Sequence, residues 1–151
     1  MNNNLLLGNN VQIGEGFSVG FLVKILSNVI IGKNVTIGRK VFIDESSIVG
    51  NNVTIGEFSK IGRNVFIGNE IVLPPHSIVE DGVNLSETII LQGSKHQFTY
   101  LGNGKILVGC IYGSLDYFLK NYHEIGIQNG YSEDEISEAY GYFLQIKAFA
   151  S

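Results

Sequence analysis

Between Val11 and Val83 the chain keeps a six-residue beat. Ile13, Val19, Ile25, Ile31, Ile37, Ile43, Val49, Ile55, Ile61, Ile67, Leu73 and Val79 each lie six apart. A second aliphatic stands two places before most of them: Val11, Val23, Val29, Val35, Val41, Val53, Val65 and Ile71. Eight of the twelve beat residues are followed directly by glycine, as in Ile31-Gly32 and Ile55-Gly56. Neither a helical period of 3.6 nor a strand period of two holds such a register for twelve cycles. The repeat therefore fixes the fold before any other signal is weighed.

These beats and their glycines resemble the hexapeptide-repeat family, whose chains coil into left-handed parallel β-helices. The resemblance implies three short strands per triangular turn, so eighteen residues bring the chain back to the same face one rung up. Twelve beats then make about four turns. Strand alternation points two aliphatics of each hexapeptide inward and the residue between them outward. Gly and Asn belong at the corners, where positive φ is cheap for Gly and tolerable for Asn. Asn28, Asn34, Asn52 and Asn64, each just before a valine, fit that demand. Ser47, Ser59 and Ser77 replace inward aliphatics and read as a local taper of the packing.

With an eighteen-residue rung the outward residues fall into three stacks. Gln12, Ile30, Ile48 and Phe66 form a first face, too apolar to leave wet. Ser18, Thr36, Thr54 and Val72 form a second, an ordinary β surface. Lys24, Phe42, Lys60 and Ile78 form the third. The corner leading into the third face carries Arg39, Lys40, Glu57, Phe58 and His76, and the corner leaving it carries Arg63. Five of the six basic residues of the coil gather there, and only Lys33 lies elsewhere. In a chain of net charge −4, that segregation points to an anion site with rings beside it. The competing reading is a solvated face that keeps an exposed sheet from sticking.

With 151 residues, 44% of them hydrophobic, the chain has room for one repeat body and a small appendage. The division is expected at 1–91 and 92–151. One cysteine, Cys110, excludes an intramolecular disulfide and suits a reducing compartment. It reads as a buried small hydrophobe in a strand. The opening Met1–Gly8 holds a three-leucine run, too short for a signal or membrane segment. A soluble cytoplasmic protein is expected, with no membrane contact. The mildly acidic balance argues against DNA or RNA binding.

Beyond Val83 the beat stops. His96–Leu101 and Lys105–Val108 are strand-like runs joined by the turn Gly102-Asn103-Gly104. Ser114 caps a helix ending near Gly126, and Ser132 with Glu135 forms a capping box for a second. The fold expected is thus mainly β: a left-handed parallel β-helix, then a small β-hairpin and two α-helices. The helices need an apolar surface, for which the first coil face is the candidate. The tail resembles a small module at the C-termini of phage and prophage proteins of unknown function. Gly93-Ser94-Lys95, Thr99-Tyr100, Gly109-Cys110 and Gly113-Ser114-Leu115, leading to Phe118, carry that resemblance. The Gly-Ser-Lys turn suits an anionic group, with Lys95, His96, Thr99 and Tyr100 as pocket candidates. The alternative is a turn with a tyrosine packed on the hairpin.

Hexapeptide proteins include acyltransferases, which implies acyl-CoA as substrate and a histidine general base, here His76 or His96. The coil carries no evident loop insertion to shape an acceptor site. Leu73-Pro74-Pro75-His76-Ser77-Ile78-Val79 resembles the first half of the family's usual ending, and Glu80-Asp81-Gly82-Val83 departs from it. His76 beside Glu57 reads either as an acid–base pair or as a corner histidine stacked on Phe58, with the stack favoured. His76, His96 and His123 lie in unlike segments, which disfavours the zinc site of the family's carbonic-anhydrase branch.

The leading expectation is a non-catalytic homotrimer without cofactor, binding a small anionic ligand in inter-subunit clefts. Its contacts would be Lys24, Arg39, Lys40, Phe42, Phe58, Lys60, Arg63 and His76 from the coil, and Lys95, His96, Thr99 and Tyr100 from the tail. The ligand would be of cyclic-nucleotide or ADP-ribose type, and the phage resemblance implies a sponge that sequesters a nucleotide signal of bacterial immunity. An acyltransferase and a structural part of a virion are the alternatives.

Overall fold

In the computed structural model, which describes residues 4–151, tertiary contacts divide the chain into two units, Met1–Thr88 and Ile89–Ser151. Each is described by itself. Of the opening stretch read for a signal segment, Met1–Asn3 lie outside the described residues.

The first unit is a parallel β-solenoid of two-residue strands. One wall stacks β1 (Leu6–Leu7), β4 (Lys24–Ile25), β7 (Phe42–Ile43), β10 (Lys60–Ile61) and β13 (Ile78–Val79). The next stacks β2 (Gln12–Ile13), β5 (Ile30–Ile31), β8 (Ile48–Val49), β11 (Phe66–Ile67) and β14 (Asn84–Leu85). The third stacks β3 (Ser18–Val19), β6 (Thr36–Ile37), β9 (Thr54–Ile55) and β12 (Val72–Leu73). Every pairing joins residues eighteen apart, such as Lys24 to Phe42 and Phe42 to Lys60, so each outward stack falls where the beat placed it. The coil extends beyond the expected Val11–Val83 stretch, to Leu6 and Leu85, with Leu7 and Leu85 still in the six-residue register.

The inward aliphatics of the middle rungs, among them Val23, Ile25, Val35, Ile43 and Ile61, are completely buried. Ser47, Ser59 and Ser77 share that interior and are satisfied there. Ser47 Oγ donates to the Gly62 carbonyl at 2.7 Å and accepts from the Val65 amide at 3.1 Å. Ser77 Oγ donates to the Pro74 carbonyl at 2.6 Å. Such bonds remove the desolvation cost that a buried hydroxyl otherwise carries.

The corners depart from the glycine–asparagine expectation. Positive φ recurs every six residues, at Asn10, Gly16, Leu22, Asn28, Asn34, Lys40, Ser46, Asn52, Phe58, Asn64, Glu70, His76 and Gly82. The coil geometry imposes this conformation on whatever residue occupies the position. Most glycines after the beat residue serve a different need. A Cβ on Gly38 would sit 2.6 Å from the Glu57 nitrogen one rung up, so rungs at their normal spacing leave no room for it.

The second unit is a four-stranded antiparallel sheet with two helices. Its strands are β15 (Ile90–Gln92), β16 (Gln97–Tyr100), β17 (Lys105–Val108) and β18 (Ile111–Ser114), in that order. The expected hairpin is its centre. Because β15 pairs with β16, the expected boundary after residue 91 cuts through a strand. Helix α1 (Leu115–Gln128) starts at Ser114, whose side chain accepts from the Tyr117 amide. Helix α2 (Glu133–Ala150) has the full Ser132–Glu135 capping box. The helices bury Leu115, Phe118, Ala139, Phe143 and Ile146 with Phe98, Ile106 and Val108 of their own sheet. They therefore have an apolar surface within the tail itself. Cys110 corrects the sequence reading: it is exposed, in the turn between β17 and β18, where Gly109 has φ 62°.

Candidate functional site

The three corners of the solenoid are unlike. Two of them place Asn, Gly, Ser or Glu at the positive-φ position. The corner entering the wall of β4, β7 and β10 places Leu22, Lys40, Phe58 and His76 there, with φ of 61°, 57°, 62° and 67°. Bulky residues in this region cost of order 1–3 kcal/mol each, and such outliers cluster at functional sites.

What occupies this corner is a continuous stack of rings and cations. The rings of Phe58 and His76 lie 5.2 Å apart and within 8° of parallel. The Arg39 guanidinium sits 5.2 Å from the Phe58 ring and 5.9 Å from that of Phe21. Lys40 Nζ is 5.5 Å from Phe58, and on the adjoining wall Lys60 Nζ is 6.0 Å from Phe42. Arg39 Nε donates to Glu57 at 3.2 Å. Of the two readings of His76, this geometry favours the stack, since the Glu57 carboxylate is turned to Arg39. A hollow of about 330 Å³ lined by Leu5, Leu6, Leu22 and Lys24 opens at the first rung of the same corner.

Lys24, Arg39, Lys40, Phe42, Phe58, Lys60 and His76 are thus brought together on one corner and its wall. Arg63 is not with them. It lies on the corner that leaves the wall, 3.9 Å from Glu45, with its amide donating to Asp81. Sequence reasoning missed Phe21, which the eighteen-residue register places directly below Arg39.

In the tail, Lys95 and His96 both meet the Tyr131 ring, 5.4 and 5.7 Å from its centroid. The Ser94 amide and hydroxyl both donate to the Glu138 carboxylate, at 3.0 Å each. The anion that the Gly-Ser-Lys turn was expected to hold is therefore supplied by α2. Lys95 Nζ donates to the Gly130 carbonyl at 2.9 Å, and His96 Nδ1 is 2.6 Å from the Tyr131 hydroxyl. Burial, then Glu135 and Glu138, raise the Tyr131 phenol above its ordinary value. Among the described residues Thr99 is buried with no hydrogen-bond partner for its hydroxyl, and the Tyr100 hydroxyl accepts from the Gly104 amide. A cavity of about 30 Å³ lies inside the tail, between His96, Phe118, Tyr131 and Phe143. That is space for a water or two, not for a nucleotide.

Among the described residues no cluster of His, Cys, Asp and Glu is placed to hold a metal ion. No helix among the described residues is long and apolar enough to cross a membrane. Residues 10–45 match the family model described as bacterial transferase hexapeptide (six repeats). Comparison with curated proteins and with solved structures gave no match. The rung-by-rung pairing continues the same eighteen-residue register well past the matched segment, and the coil is a hexapeptide-repeat, left-handed parallel β-helix.

Proposed function

We propose that the protein is a non-catalytic binding protein whose ring-and-cation corner takes a small anionic ligand bearing a flat ring. One observation carries this reading. One corner fills its costly positive-φ positions with Leu22, Lys40, Phe58 and His76, while the other corners use Asn, Gly or Ser, with Glu70 their one long side chain. A corner that served only to turn the chain would be cheaper with asparagine. Arg39 and Lys40 supply charge for a phosphate or carboxylate, and Phe58 and His76 supply a stacking surface. Proteins of this repeat commonly form homotrimers, which would set three such corners against neighbouring subunits. The ligand class we favour is a nucleotide-type anion, held unchanged, as a sponge for a signalling nucleotide would hold it.

A thermal-shift panel of cyclic di- and trinucleotides, ADP-ribose compounds, nucleotide sugars and acyl-CoA tests this. A ligand bound only by the folded state raises the midpoint by mass action. The reading requires a rise with a nucleotide-type compound that is recovered unchanged. No rise with any of them overturns it.

The family match favours one second reading, acyl transfer with His76 as general base. It requires turnover of acyl-CoA that His76→Ala abolishes. The unbroken eighteen-residue pairing argues against it, because among the described residues no loop leaves the coil to shape an acceptor site.

A further inference from the structure

Resting on the corner site proposed above, we infer that its anion contacts are backbone amides as well as cations, arranged for a diphosphate. On the other two corners, four of the amides before the positive-φ residue are closed by a side-chain oxygen eighteen residues on, although among the described residues those of Glu15, Ser27 and Asn69 are not. Lys33 N donates to Asn51 Oδ1 at 2.9 Å, Asn51 N to Asn69 Oδ1 at 2.8 Å and Arg63 N to Asp81 Oδ1 at 2.8 Å. Asn9 N donates to Ser27 Oγ, again eighteen residues on. The equivalent amides of the ring-and-cation corner belong to Phe21, Arg39 and Glu57. None of the three donates to a protein acceptor among the described residues.

The sequence explains why. The residues eighteen positions on are Arg39, Glu57 and Pro75. Arginine and proline side chains have no acceptor, and the Glu57 carboxylate is drawn to Arg39 Nε instead. Three consecutive rungs thus present open N–H donors beside Arg39 and Lys40. Strands in a sheet stack about 4.8 Å apart, so neighbouring amides lie about that far apart. The oxygens of a single phosphate are too close together to reach two rungs. Oxygens on the two phosphorus atoms of a diphosphate span that gap and meet the Arg39 and Glu57 amides together. Backbone N–H donors beside cations favour an anion.

The test is calorimetric titration of inorganic pyrophosphate, with orthophosphate and ADP as comparison probes. Pro75→Asn changes no charge and puts a carboxamide oxygen where Asn51 has one, over the Glu57 amide. Glu57→Asn does the same for the Arg39 amide while removing a negative charge. Wild type is expected to prefer pyrophosphate to orthophosphate. Both variants should weaken pyrophosphate about tenfold or more, the loss expected for a hydrogen bond to a charged group. If charge alone holds the anion, Pro75→Asn changes nothing and Glu57→Asn tightens binding; that pattern overturns the amide assignment and leaves the corner site standing. If wild type takes no pyrophosphate the inference fails, and whether ADP still binds then decides the corner site separately. Retained melting midpoints confirm that each variant is folded.

Discussion

Glu70 and His76 share a backbone conformation, with φ of 61° and 67°, on different corners of the coil. Replacing each by asparagine isolates what the His76 side chain adds. An ordinary L-residue loses about 1–2 kcal/mol in this region, and asparagine loses less because its side chain tolerates it. Glu70 is exposed, on a corner whose lower rungs already carry Asn34 and Asn52. Glu70→Asn should therefore gain about 1 kcal/mol, a rise in Tm of about 2–4 °C for a chain of this size. His76→Asn gains the same backbone relief but loses the parallel stack on Phe58 at 5.2 Å. A ring pair contributes about 0.5–1.5 kcal/mol, so the two terms nearly cancel and Tm should hardly move. Thermal denaturation followed by circular dichroism reads both. An unchanged or lowered Tm for Glu70→Asn refutes the strain argument. An equal rise for both variants shows that the ring stack contributes nothing.

Three further outcomes follow from the packing. Ile61→Ala, at a completely buried inward position, should cost about 2–5 kcal/mol in chemical denaturation, and a loss below 1 kcal/mol would mean that the rungs close over the void. Gly38→Ala forces a Cβ to 2.6 Å from the Glu57 nitrogen and should cost about 1–3 kcal/mol, while the half-buried Gly141→Ala, with open space at its Cβ, should not destabilise. Glu138 is held below its ordinary value of 4.5 by the Ser94 amide, then by the Ser94 hydroxyl. Its folded value lies below its unfolded one, so its contribution is complete above pH 4.5 and is lost as pH falls through the lowered value. Glu138→Gln should flatten the acid limb of tail stability, read by hydrogen exchange in β15 and β16; an unaltered limb would place the acid sensitivity elsewhere.

Much of the first unit was legible because a coil with a strict repeat turns spacing into position. Lys24, Phe42 and Lys60 fall in one stack by arithmetic alone, and so do the ring and cation positions of the corner. The ends were missed although Leu7 stands six before Ile13 and Leu85 six after Val79, so both keep the beat and pair into the ladder. Leu22, Lys40, Phe58 and His76 carry no local signal for positive φ; the fold imposes it against their own preferences. In the tail the capping box was readable within four residues. The Ser94–Glu138 bonds span 44 residues, and no spacing rule announces such a contact. The exposure of Cys110 follows from a turn that the apolar residues on either side of it disguised.

The most direct test of the corner site is calorimetric titration of ADP into wild type and into Arg39→Glu. Arg39 lies outward between Phe21 and Phe58, so reversing its charge should leave the buried core intact and the coil folded. The account predicts saturable binding to wild type and its loss in the folded variant. Absence of binding to wild type, or equal binding to both, would contradict it.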